Sequence, residues 1–112
     1  MQLEIEEAGN GVTVARLIGR LDIPGAQAID LRFNVMVGSK RAIVLDLSEL
    51  SYVASMGLRT LIMGARTVAS KKGKMVIANP NEEVLGVLQS SGVDALLPIL
   101  ASRDEAVSAV AA

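Results

Sequence analysis

The chain has 112 residues, with 11 basic and 12 acidic side chains, a net charge of −1, 51% apolar residues and 2% aromatic ones. That size suits one domain with a single sizeable core, and nucleic acid is set aside as a partner because neither a basic excess nor an aromatic platform is present. Cysteine and histidine are both missing, which removes disulfides, thiolate nucleophiles, imidazole bases and Cys- or His-ligated metals from consideration.

Phe33 and Tyr52 are the two aromatic residues, so the core must come from Val, Ile, Leu, Met and Ala. Leu3 and Ile5 alternate with Gln2, Glu4 and Glu6, the period of a half-buried strand. Ala8-Gly9-Asn10-Gly11 turns the chain, and Val12 to Ile18 returns as a second strand rich in β-branched residues. Gly19-Arg20-Leu21-Asp22 is expected to leave the sheet. Asp22 or a near neighbour then caps a helix whose first turn tolerates Pro24. Ala26, Ile29, Phe33, Met36 and Val37 give that helix its apolar stripe, and Gly38 is expected to end it.

Ser39-Lys40-Arg41 leads into a central strand over 42–47, whose run Ala42-Ile43-Val44-Leu45 reads as buried on both faces. A helix from Ser55 or Met56 to about Ser70 follows, with Leu58, Leu61, Ile62, Ala65, Val68 and Ala69 on its inner side. Lys71-Lys72 suits the negative end of its dipole, and Gly73 is expected to stop it. Lys74 to Ala78 is another short apolar strand. Asn79-Pro80-Asn81 opens a helix with Glu82 and Glu83 in its first turn, Val84, Leu85 and Leu88 inside, and Ser91-Gly92 at its close. Pro98-Ile99-Leu100 fits a short edge strand, where proline is tolerated. Ser102 and Glu105 form an S-x-x-E capping box before a last helix, Arg103 to Val110, that buries Ala106, Val107 and Val110.

A hairpin followed by alternating strands and helices predicts an α/β domain over 1–112, a mixed sheet packed against about four helices. Neither G-x-G-x-x-G nor a P-loop occurs, so nucleotide binding has no motif behind it. The acidic, alternating start is unlike a signal peptide, and no apolar run approaches a membrane span. A soluble cytoplasmic protein without membrane insertion, metal or cofactor is expected.

The most informative stretch is Asp46-Leu47-Ser48-Glu49-Leu50-Ser51-Tyr52-Val53-Ala54-Ser55-Met56-Gly57-Leu58-Arg59. Ser55 falls where a helix N-cap belongs, and Gly57 costs helix stability, which implies that something comes close to the helix start. Ser55 has two readings. It is a simple cap, or it is a hydroxyl whose phosphate would meet unpaired N–H groups and the positive end of the dipole. Arg59 lies one turn on, and Met63 and Arg66 continue that face, which is either a solvated basic face or a partner surface. Met56 is core filler or an adaptable exposed contact. Asp46 is read as ordering the loop through its backbone. Neither Asp46 with Glu49 nor Asp22 with Asp46 has a substrate pocket beside it to support acid–base chemistry.

The pattern D-L-S-x-L-x-Y-V-A-S-M-G-L-R resembles the signature of the STAS domains, the family of bacterial anti-sigma factor antagonists. Agreement is detailed over Asp46 to Arg59 and looser over Gly19 to Asp22. The resemblance implies a STAS-like fold and a phosphorylatable serine at Ser55, with a partner surface that includes Asp22, Met56, Gly57, Arg59, Met63 and Arg66. Two positions depart from the pattern: Ala54 and Arg20 stand where family members often carry an acidic residue. The implied partners are an anti-sigma factor serine kinase and a resetting serine phosphatase, with the chain as substrate rather than enzyme. The other reading is a non-switching STAS subunit that docks onto a membrane ABC transporter.

Overall fold

The structure is a computed structural model, described here for residues 1–111. Strands β1 (Gln2–Glu7) and β2 (Thr13–Leu21) form the opening hairpin, followed by α1 (Ile23–Ser39) and β3 (Ala42–Asp46). Next come β4 (Leu50–Val53), α2 (Ser55–Ser70), β5 (Lys74–Ala78) and α3 (Glu82–Ser90). A 3-10 turn at Val93–Ala95, the two-residue strand β6 (Ile99–Leu100) and α4 (Arg103–Val110) complete the order. The sheet runs β1-β2-β3-β5-β6, with β4 beside β2. Among the described residues only β1–β2 is antiparallel, so the sheet is mixed, as the sequence predicts.

Both faces of the sheet are dry where β3 crosses it. Ile43 and Leu45 join a core with α1, α2 and α3, while Val44 joins Val12, Val14 and Val76 beneath Ala106 and Val110 of α4. This two-sided burial is why the β3 run is apolar at every position instead of alternating. On α1 the buried set contains Ala26, Ile29, Phe33, Met36 and Val37, the predicted stripe. Phe33 lies against α2 where Gly64 leaves room; a Cβ there would sit 2.7 Å from the ring.

Several expectations change. Strand β2 does not end at Ile18: Gly19, Arg20 and Leu21 stay extended and pair with β4, a strand with no predicted counterpart. The register slips between Gly19 and Arg20, with Gly19 at φ +110°, a conformation that favours glycine. Helix α1 runs through Gly38 to Ser39, whose hydroxyl donates to the Val35 carbonyl. Lys71 is the C-cap of α2, its backbone N–H donating to the Val68 carbonyl at 3.1 Å, but its side chain reaches across to α1. Its ammonium donates to the carbonyls of Val37 and, at 2.7 Å, Lys40, so it closes the end of α1. The left-handed residue after α2 is Lys72 (φ +62°), and Gly73 is needed for space, because its Cβ would lie 2.5 Å from the Arg41 carbonyl oxygen. Ala69 is exposed, whereas Gly64, which is not among the predicted inner residues, is buried.

Candidate functional site

Strands β2 and β4 end level with one another, Leu21 opposite Val53, and the Ala54 N–H donates to the Leu21 carbonyl at 3.0 Å. Each chain then turns directly into a helix, α1 after Asp22 and α2 after Ala54. Two helix N-termini therefore stand side by side at the carboxyl end of the sheet. The residue that sets their approach is Gly57. A Cβ on it would lie 2.4 Å from the Leu21 carbonyl oxygen and 2.6 Å from Leu21 Cγ. The close neighbour that the glycine implies is thus Leu21 of the same chain. Gly57 is buried and offers a partner no surface of its own.

Ser55 is not the cap of α2. Ala54 holds that place with extended dihedrals (φ −104°, ψ 176°), no side chain caps the helix, and the Leu58 N–H closes the first turn onto the Ala54 carbonyl. The cause is β4, which keeps the chain extended to Val53 and brings Ala54 onto Leu21. Ser55 consequently becomes the first helical residue, exposed to solvent. It opens a 16-residue helix whose first-turn N–H groups have no side-chain acceptor, at the positive end of the dipole.

The outer face of α2 continues from there. Met56 and Met63 are 43% and 53% exposed, and Arg59 and Arg66 are exposed between and beyond them. Met56 is therefore a surface residue and not core filler. The helix contains no acidic residue. Across from it, Ile23 is 55% exposed, and a groove of about 300 Å³ lies between Ile23, Gln27 and Asp30 of α1 and Met56 and Thr60 of α2.

Asp22 caps α1, accepting the Gly25 N–H at 2.9 Å, with Arg20 Nε 3.5 Å from its other oxygen. That backbone bond, and after it Arg20, holds the Asp22 carboxyl below its ordinary range against the opposing effect of desolvation. Asp46, 8% exposed, accepts the Ser48 N–H at 3.0 Å and faces Arg103 at 3.9 Å. Glu49 pairs with Arg16, the Gly19 N–H donates to the Glu49 carbonyl, and Asn81 Nδ2 donates to the Leu50 carbonyl at 3.0 Å. The segment before Ser55 is therefore anchored to β2, to the start of α3 and to its own Asp46. Sequence reasoning, which did not predict β4, also missed Arg20 stacked 4.3 Å over the Tyr52 ring. Its signal is the Arg20–Tyr52 register, legible only once β4 is known. Among the described residues, no group of three or more acidic side chains is placed to hold a metal ion.

A family model described as the STAS domain matches residues 3–106. The chain belongs to the STAS domain family. A relative of this STAS domain, the anti-sigma F factor antagonist of Paenibacillus polymyxa, is 29% identical over 102 residues, covering 88% of this chain and 87% of the relative. Among solved structures, an anti-sigma factor antagonist from Mycobacterium paratuberculosis superposes with a TM-score of 0.87 at 24% identity, over 97% of this chain and 92% of that one. The phosphorylated form of the Bacillus cell fate determinant SpoIIAA superposes at 0.74 with 23% identity, over 97% and 99%. At these identities the two structures establish the shared fold.

Proposed function

We propose that this STAS domain is an anti-sigma factor antagonist that binds an anti-sigma factor of the serine-kinase type and is switched by phosphorylation of Ser55. The observation that carries the reading is that Ser55 is exposed at the positively polarised start of α2, which no side chain caps. The names of the relatives support it, since the Paenibacillus protein is called an anti-sigma F factor antagonist and the SpoIIAA structure a phosphorylated form. Asp22, Met56, Arg59, Met63 and Arg66 form the docking surface around Ser55, Gly57 sets the helix against Leu21 beneath it, and Asp46 orders the approach loop. The kinase brings its own ATP and magnesium, and a serine phosphatase removes the phosphate, so this chain is a substrate that performs no chemistry unaided.

A phosphate on Ser55 adds about 1.5 to 2 negative charges at pH 7. The dipole and Arg59 accommodate that charge, so α2 persists while the docking surface changes sign. Docking is then lost through repulsion and desolvation. No helix among the described residues is long and apolar enough to cross a membrane, and a cytoplasmic site of action fits a kinase partner. The test is incubation with each serine-kinase anti-sigma factor of the same genome and ATP, read by intact mass and peptide mapping. One phosphate on Ser55, absent in Ser55→Ala, is expected. Stable kinase binding without modification would instead favour the non-switching subunit.

A further inference from the structure

We infer that Arg20 and Tyr52 form a preorganised docking element that reads a carboxylate on the partner, a reading that rests on the kinase-binding function proposed above. Arg20 and Tyr52 face each other across the parallel β2–β4 pair, and the guanidinium lies 4.3 Å over the ring. The register slip at Gly19 aims Arg20 there, because a bulge redirects the side chain that follows it. The Ser51 hydroxyl donates to the Gly19 carbonyl at 2.9 Å and pins the two strands together beside the bulge. Asp22 engages only Nε, at 3.5 Å, and leaves the two terminal nitrogens of the fork open.

An arginine so held is unusual for an exposed one. Its side chain is 62% exposed, yet ring and carboxylate already restrict it, so less freedom is lost when a partner binds. Arginine and tyrosine are also the residue types that most often carry interface energy. The open fork matches a carboxylate in bidentate geometry. On the α2 side the charge points the same way, since Arg59 and Arg66 lie on a helix without acidic residues. Asp22 is engaged as a cap, and Glu83, which shares a hollow with Tyr52, and Asp30, across the α1–α2 groove, are carboxylates at the borders of the surface. The occupant is therefore an acidic patch on the kinase, with at least one Asp or Glu opposite Arg20. Sheet-edge Arg20–Tyr52 and the α2 face then form one surface around Ser55, because Leu21 and Ala54 are hydrogen-bonded between them.

The test uses the full chain and each purified serine-kinase anti-sigma factor of the same genome. Affinity is measured at several salt concentrations for the parent protein, Arg20→Glu, Arg20→Lys, Arg20→Gln and Tyr52→Leu. The kinase that binds the parent protein should bind Arg20→Glu at least tenfold more weakly. Arg20→Lys should fall between them, because it keeps the charge but loses the fork. Arg20→Gln keeps the Gly25–Asp22 cap and should weaken binding with only a small drop in thermal midpoint and a shallower salt dependence. A Glu→Arg change in the kinase patch should restore binding to Arg20→Glu. Parent-like affinity and salt dependence in both Arg20→Gln and Arg20→Glu would overturn the inference while leaving the kinase-binding function intact. Failure of every kinase to bind the parent protein would overturn both.

Discussion

At the scale of single residues, the two helix starts at the site are built differently, and the difference has consequences. Asp22 spends its carboxylate on the Gly25 N–H, whereas Ala54 has nothing to give the first turn of α2. Because the bond to Gly25, with Arg20 beside it, lowers the folded-state pKa of Asp22, its support for folding is complete above the unfolded-state value. It fades as pH falls through the lower folded value. A carboxyl-carbon NMR titration should place Asp22 below the ordinary aspartate range, and Asp22→Asn should keep the cap while removing that acid-limb loss of stability. An ordinary titration for Asp22 would contradict the assignment. The free first turn of α2, by contrast, should tolerate a phosphate. Circular dichroism of the Ser55-phosphorylated protein should show undiminished helix and an unlowered thermal midpoint, and melting of α2 would rule out a switch that acts by surface charge.

Elements meet at this site through missing side chains as much as through present ones. Gly57 lets α2 sit on Leu21, so Gly57→Ala must push the two apart and should cost about 1–3 kcal/mol by chemical denaturation. A change within error would mean that the approach relaxes freely. Asn81 works in two directions, capping α3 through the Val84 N–H at 2.8 Å and donating to Leu50 of β4. Asn81→Ala should therefore cost about 1–2 kcal/mol, the upper part of the range for a lost cap, since the Leu50 carbonyl also loses its donor. A loss of only a few tenths would show that water replaces both bonds.

Periodicity made most elements legible: the α1 stripe, the doubly buried β3 run and the Ser102 cap, which accepts the Glu105 N–H at 3.1 Å, all follow from residue spacing. What escaped was β4. Its four residues bury only Leu50 and Val53 and leave Ser51 and Tyr52 exposed, so neither alternation nor a continuous apolar run marks it. Its pairing with β2 is also non-local. From that one omission follow the others at the site: the end of β2, the displaced cap of α2 and the Arg20–Tyr52 stack. Gly73 misled for a related reason, because it answers to close backbone approach and not to a helix stop, whereas Gly57 did imply a close neighbour without revealing that it is Leu21.

For the whole molecule, α4 covers one face of the sheet and α1, α2 and α3 the other. The site lies at the end of the sheet, where α1 and α2 begin. The loop leading to it is tied at several points, through Asp46, Glu49 and Leu50. Such a scaffold suits a binding module that changes charge without changing shape. In the proposed function, partner exchange would depend on a difference in affinity between two forms of one surface. The most direct measurement is calorimetric titration of the cognate serine-kinase anti-sigma factor with the unmodified and the Ser55-phosphorylated protein. The account predicts that phosphorylation weakens binding at least tenfold, about 1.4 kcal/mol, with the fold unchanged. Equal affinity for the two forms would contradict it.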